Sequence, residues 1–415
     1  MPAAAPAPGG MFAALSYPGH RRLWFSGLVV FLAVTGQTIA RGWLARELTG
    51  TNAGLGGVLL GFGLAMLVST PFGGVAADRL SKRTVVVGAQ LILVVSSGWI
   101  GLAVQFDFVE YWMLVAASAI QAVAFAFYGP ARIAFIAELV PPDTMSNAIV
   151  LGQMSAEAMR VIGPTVAGVL IGAASWGLAA TFEASAVLCL VAALASTTLP
   201  PGHPRAGRPP RSPFGELSDG IAYVRANHDL KLLVVTSLAV VMAAYPYQAF
   251  LPSVADGIFD AGSGGYGVMS TVSAAGAVTA GLVTARRGVR DAWTLVILGG
   301  AMFGIGLIGL GLAPVYGVAL VVLVVVGGAS LAFQTTVNSL LLARSDLEYH
   351  GRVQSLIMLG FSGFGIIALP LGVLADAVGL RATLVGMGVL ALAAISLFAV
   401  RSGEERRADQ VLDFG

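Results

Sequence analysis

Long apolar runs recur about twelve times along this chain, and no other feature limits its fold so tightly. Six of them are Leu23–Ala45, Asn52–Ala76, Thr84–Val104, Tyr111–Phe135, Asn147–Ala173 and Gly177–Leu199. After a polar break come Leu232–Val254, Gly265–Ala285, Ala292–Leu312, Val315–Leu342, Val353–Ala375 and Leu380–Val400. A helix needs about 20 apolar residues to cross a bilayer. An isolated strand would leave backbone groups unpaired in hydrocarbon, so each run reads as a helix. Only 11% of the 415 residues are charged, against about 25% in soluble domains. That is too little polar surface to coat a soluble globule. The 54 glycines let helix backbones approach closely in lipid. The expected fold is an all-α integral membrane protein with 12 transmembrane helices.

Basic residues orient it. Arg46 and Arg381 fall at one face and Arg41 and Arg160 within spans; the other 19 of the 23 Lys and Arg fall at the opposite face. The positive-inside rule makes that face cytoplasmic and puts both termini there. Residues 1–20, rich in Ala and Pro at their start, read as a disordered tail; residues 401–415 read as a cytoplasmic tail. The polar break at 200–231 divides the chain into six-helix bundles at 21–199 and 232–400. Prolines exclude helix from its first part. Phe214, Leu217, Ile221 and Val224 recur at helical spacing in its second part, which predicts a short amphipathic helix on the inner leaflet. The halves echo each other. Gly74, Arg79 and Arg83 recur as Gly281, Arg286 and Arg290, and Pro164 recurs as Pro370.

The connector between the second and third spans reads Gly74-Val75-Ala76-Ala77-Asp78-Arg79-Leu80-Ser81-Lys82-Arg83. It resembles the loop signature of the major facilitator superfamily, G-x-x-x-D-R-x-G-R/K-R/K. Gly74, Asp78, Arg79, Lys82 and Arg83 match, and Ser81 stands where the family has glycine. Arg21-Arg22-Leu23-Trp24-Phe25, Gly42-Trp43-Leu44, Glu47-Leu48-Thr49-Gly50 and Glu138-Leu139-Val140-Pro141 resemble the drug and siderophore exporter branch, which includes the enterobactin exporter and macrolide efflux pumps. In the fifth span, Gly163-Pro164-Thr165-Val166-Ala167-Gly168 resembles the exporter motif G-P-x-x-G-G, with Ala167 replacing its first paired glycine.

The resemblance implies two six-helix bundles rocking around a central site. It makes Asp78 and the adjacent bases an inner latch between the halves, with Glu138 a partner for Arg83. It makes Gly163, Pro164 and Gly168 a seal on the outer side. Read physically, Pro164 permits a kink and the glycines allow tight helix contact.

Glu157 and Arg160 lie about 10 and 13 residues into the fifth span, roughly 15–20 Å deep at 1.5 Å per residue, and share a face. Ionisable groups at such depth face a cavity or a partner, which makes the pair candidates for proton coupling or substrate contact. A permanent ion pair that only fixes packing is the structural alternative. Gln37 and Arg41 share a face of the first span and are further candidates, unless Arg41 snorkels to the interface. Gln121, Tyr128, Gln248, Gln334 and Asn338 are candidate cavity lining; each also suits interhelical hydrogen bonding or packing.

A net charge of +2 implies no nucleic-acid partner. Cys189 is the single cysteine and forms no internal disulfide. His20, His203, His228 and His350 are far apart, and neither H-E-x-x-H nor G-x-x-x-x-G-K-S/T occurs. No metal, cofactor or ATP site is expected, and no enzyme. The resulting expectation is a monomeric, proton-coupled exporter in the bacterial inner (plasma) membrane, moving drugs, siderophores or other amphiphilic small molecules among membrane lipids. A lipid or lysolipid flippase, a nutrient importer and, last, a membrane-embedded enzyme are the alternatives.

Overall fold

The computed structural model describes residues 12–173, 177–203, 213–287, 292–346 and 349–412. Among these the chain is helical, with no strand. The helices are α1 (Pro18–Thr49), α2 (Asn52–Arg79), α3 (Lys82–Gln105), α4 (Tyr111–Leu139), α5 (Pro142–Ala173), α6 (Gly177–Thr197) and α7 (Pro213–Ala226). They continue with α8 (His228–Ala244), α9 (Tyr247–Ser253), α10 (Gly262–Arg287), α11 (Ala292–Leu312), α12 (Tyr316–Arg344), α13 (His350–Val378) and α14 (Leu380–Leu412). By length and composition, nine described stretches suffice to cross a membrane, counting α8 and α9 together as His228–Ile258; Ser362–Val378 is a shorter apolar helix. Neither α5, which carries Glu157 and Arg160, nor the Gly- and Ser-rich α10 is among the nine.

The helices group into two compact units, Met1–Thr49 with Gly61–Pro213 and Gly50–Leu60 with Phe214–Gly415. In the first, α1 packs on α5 and α6, and α3 on α4 and α6. Leu23 and Val30 of α1, Val86 and Leu93 of α3, and Ala131 and Phe135 of α4 share its interior. In the second, α11 packs on α12 and α14, and α10 on α12. Phe303 meets the ring edges of Tyr245 and Tyr247 there, at 5.2 and 5.8 Å. Both units turn large apolar side chains outward, among them Val95, Val187, Leu194, Ile305, Val321 and Leu390. In water such a surface would drive association; in hydrocarbon it needs no partner.

Three stretches differ from the sequence pattern. The run Leu232–Val254 is divided between α8 and α9, because Pro246 has no N–H to continue the ladder; a π-helical turn, Val254–Ile258, follows. Part of the tail expected to be disordered is ordered. Ala13–Ser16 form a 3₁₀ turn, the Ala14 N–H donates to Asn147 Oδ1 (3.1 Å), and α1 begins at Pro18, where a proline suits the first turn. The C-terminal tail is helical to Leu412, through a stretch of good helix formers around Glu404 to Ala408.

Candidate functional site

The α2–α3 connector is held inside the first unit. Ser81 occupies the glycine position because it caps α3, its Oγ accepting from the Thr84 N–H (3.2 Å). Lys82 is 2% exposed. Its Nζ pairs with Glu138 Oε1 (3.3 Å) and donates to the His203 carbonyl. Glu138 Oε2 accepts from the His203 N–H (3.0 Å). Glu138 therefore partners Lys82 rather than Arg83. Arg83 Nη1 instead donates to the Leu199 and Thr197 carbonyls (2.9 and 3.4 Å) at the end of α6. A cation there meets orphan carbonyls and the negative end of the helix dipole, so α6 outcompetes Glu138 for it. Arg79 is exposed. The backbone at Gly74 leaves open space where a Cβ would stand. The Asp78 side chain lies outside the described residues. Lys82 and Arg83 thus join α3 to α4 and α6 of their own bundle.

Polar groups also meet in the middle of this unit. Gln37 is 2% exposed and accepts from Ser97 Oγ (2.9 Å), joining α1 to α3. Arg41, 4% exposed, donates from Nη1 to Gln121 Oε1 (2.6 Å) and Ser118 Oγ (3.3 Å), joining α1 to α4. It does not snorkel. Tyr128 is buried with its ring edge-on to Phe125 at 6.2 Å. Arg160 is exposed on α5; the Glu157 side chain lies outside the described residues. In the second unit Gln334 Oε1 accepts from the Tyr245 hydroxyl (3.1 Å), Gln248 is exposed, and Asn338 Oδ1 is buried without a hydrogen-bond partner among the described residues.

The fifth-helix motif is a contact between α5 and α1. A Cβ on Gly163 would overlap Thr35 Oγ1 and stand 3.2 Å from the Gly36 nitrogen. Thr35 Oγ1 donates across the interface to the Met159 carbonyl (3.0 Å). Ala167, buried, is accommodated by a glycine on the other helix, its Cβ 3.8 Å from where one on Gly36 would stand. Pro164 lies within α5, and Gly168 is half-buried.

One constellation went unread in the sequence. Asp376, near the end of α13, accepts from the Asn52 N–H and Nδ2 (both 2.8 Å) through Oδ1, and from the Ala53 N–H (2.9 Å) through Oδ2. The first turn of α2 is thereby capped by a carboxylate 324 residues away. Below it a Cβ on Gly56 would overlap the Ala368 carbonyl, and one on Gly372 the Asn52 carbonyl. All these residues belong to the second unit. Asn52 opening a helix and Asp376 ending an apolar run were the available signals, but neither names its partner.

Multiple apolar helices with outward-facing hydrophobic side chains and inward-facing polar groups define a multi-pass membrane protein. The profile of the Major Facilitator Superfamily matches residues 23–370, and the chain belongs to that family. It is a transporter, not an enzyme. Macrolide efflux protein A of Streptococcus pyogenes is 25% identical over 324 residues, covering 77% of this chain and 78% of that protein. The protein of that name from Enterococcus faecalis is 26% identical over 321 residues, 76% and 97% of the two chains. The staphyloferrin A transporter of Staphylococcus aureus is 22% identical over 343 residues, 80% and 83%. A solved POT family transporter in complex with 5-aminolevulinic acid shares the fold at TM-score 0.75 and 12% identity, covering 93% of this chain and 96% of that one. A bacterial homolog to the human lysosomal transporter Spinster, inward-facing and occupied, does so at 0.74 and 16%, with the same coverage.

Proposed function

We propose that this protein is a proton-coupled exporter of amphiphilic small molecules, crossing a bacterial plasma membrane twelve times with both termini inside. The likeness to macrolide efflux proteins over about three-quarters of the chain carries the direction of transport. The distribution of basic residues supports the orientation. In this reading α5, α10 and α13 complete the twelve crossings, and the protein works by alternating access.

The parts divide the work. Gly163, Pro164 and Gly168 let α5 lie tightly on α1 and seal the outer side. Asp78 and Arg79 form the exchangeable part of the inner latch, while Lys82, Glu138 and Arg83 keep α3, α4 and α6 rigid around it. Gln37, Arg41, Gln121 and Tyr128 line the path in the first bundle, and Gln248, Gln334 and Asn338 in the second. Glu157 carries the proton, and Arg160, one turn away on the same helix face, keeps its charge and tunes it.

The test is efflux of a labelled macrolide from cells with and without the protein, with and without an uncoupler. Efflux that the protein raises and the uncoupler abolishes is expected; protein-dependent uptake, or efflux indifferent to the uncoupler, overturns the reading. In proteoliposomes Glu157→Gln is expected to abolish macrolide-driven proton movement. Unchanged proton movement would remove Glu157 from the mechanism.

A further inference from the structure

Among the described residues, Arg41 is a buried cation with no counter-charge in contact with it. Its Nη1 makes both of its hydrogen bonds, to the neutral Gln121 and Ser118, and its Nε makes none. Glu47, on the same helix, accepts instead from Trp43 Nε1 (2.5 Å). Glu183 of α6 lies against Gly101 of α3. The guanidinium stays charged at any working pH, and a buried charge without an opposite one is disfavoured. A methionine would fill the space at less cost. A lone ionised group within a span is a mark of function.

The edge of the guanidinium left without a partner suits an oxyanion. Its Nε–H and the neighbouring Nη2–H point the same way and match the two oxygens of a carboxylate. Gln121 and Ser118 hold Nη1, which fixes the plane of the fork and directs that edge away from them. Gln37, one turn back, is already engaged by Ser97 and does not compete. We infer that Arg41 recognises a carboxylate on the transported molecule, with Gln121 and Ser118 as positioning residues. This rests on the transporter reading above and adds the class of cargo: amphiphilic acids in preference to their neutral esters.

The test measures binding to the full chain in phosphatidylcholine nanodiscs, by quenching of tryptophan fluorescence, with naphthyl and xanthene carboxylic acids each paired with its methyl ester. Wild type is expected to bind acids about tenfold more tightly than esters, about 1.4 kcal/mol. Arg41→Gln is expected to remove the preference. Arg41→Lys should keep part of it, as a point charge without a fork. Gln121→Glu supplies an internal carboxylate and is expected to remove the preference in a chain that stays folded by thermal melt. Equal binding of acids and esters by wild type, or a preference surviving both Arg41→Gln and Gln121→Glu, overturns the inference. So does loss of the preference when phosphatidylglycerol is added to the nanodiscs, since the site would then serve lipid headgroups. No gradient is present, so failure of the exporter reading and failure of this one are read separately.

Discussion

Replacing Asp376 with asparagine tests whether one carboxylate holds the beginning of α2. The native side chain accepts three hydrogen bonds at 2.8, 2.8 and 2.9 Å, two from backbone N–H groups that a helix start leaves without intrahelical partners. Asparagine retains one acceptor and turns its NH2 toward a donor, so at least one bond becomes a donor–donor clash. A hydrogen bond to a charged group contributes about 1.5–3 kcal/mol when buried, and a charge at a helix N-terminus about 0.3–1 kcal/mol. Asp376 is exposed, so water replaces part of what is lost, and about 1–2 kcal/mol is a fair total. That corresponds to a roughly 5–30-fold change in the opening equilibrium of this turn. Hydrogen–deuterium exchange of the peptide from Asn52 to Leu60, on the full chain in nanodiscs, reads that equilibrium directly. Asp376→Asn should speed exchange there by about that factor, and Asp376→Ala by as much or more, with exchange in α3 unchanged. Exchange in Asp376→Ala within twofold of wild type would refute the cap. In a transporter that alternates, a cap of this strength is one that can open each cycle, so Asp376→Ala should also change efflux of a labelled macrolide.

Two further outcomes test the first unit. Glu138→Gln leaves the nearly inaccessible Lys82 ammonium without its counter-charge; it should lower thermal stability by roughly 1–3 kcal/mol, and Lys82→Met in the same chain should restore part of the loss, because an uncompensated buried charge costs more than no pair. A double-mutant cycle by thermal melt with no coupling would contradict this. Gly163→Ala places a methyl group on Thr35 Oγ1, an overpacking worth about 1–3 kcal/mol. It should lower both stability and efflux, and Thr35→Ala in the same chain should recover stability; a Gly163→Ala protein as stable as wild type would show that α5 and α1 do not meet there.

What the sequence revealed follows the range of the interactions. The spans were legible because hydrocarbon imposes length and polarity on each segment separately, and α2, α4, α6 and α11 begin where their apolar runs do. The break at Tyr245-Pro246 was equally local, but an apolar run hides a proline's effect until the missing N–H is traced along the helix. Side-chain partnerships were a different matter. Composition placed Glu138 and the bases at one face of the membrane without saying that Lys82 would take the carboxylate and Arg83 the carbonyls of α6. That choice depends on where α4 and α6 end relative to α3, which emerges only when the bundle is packed. The same holds for Arg41, whose spacing from Gln37 fixed its helix face but not its partner: Gln37 turns to Ser97 of α3, Arg41 to Gln121 of α4. Asp376 and Asn52 lie 324 residues apart and were each unremarkable alone. In a chain whose helices are specified by oil and length, the sites are specified by the few polar atoms left inside, and those are assigned only when their partners are known.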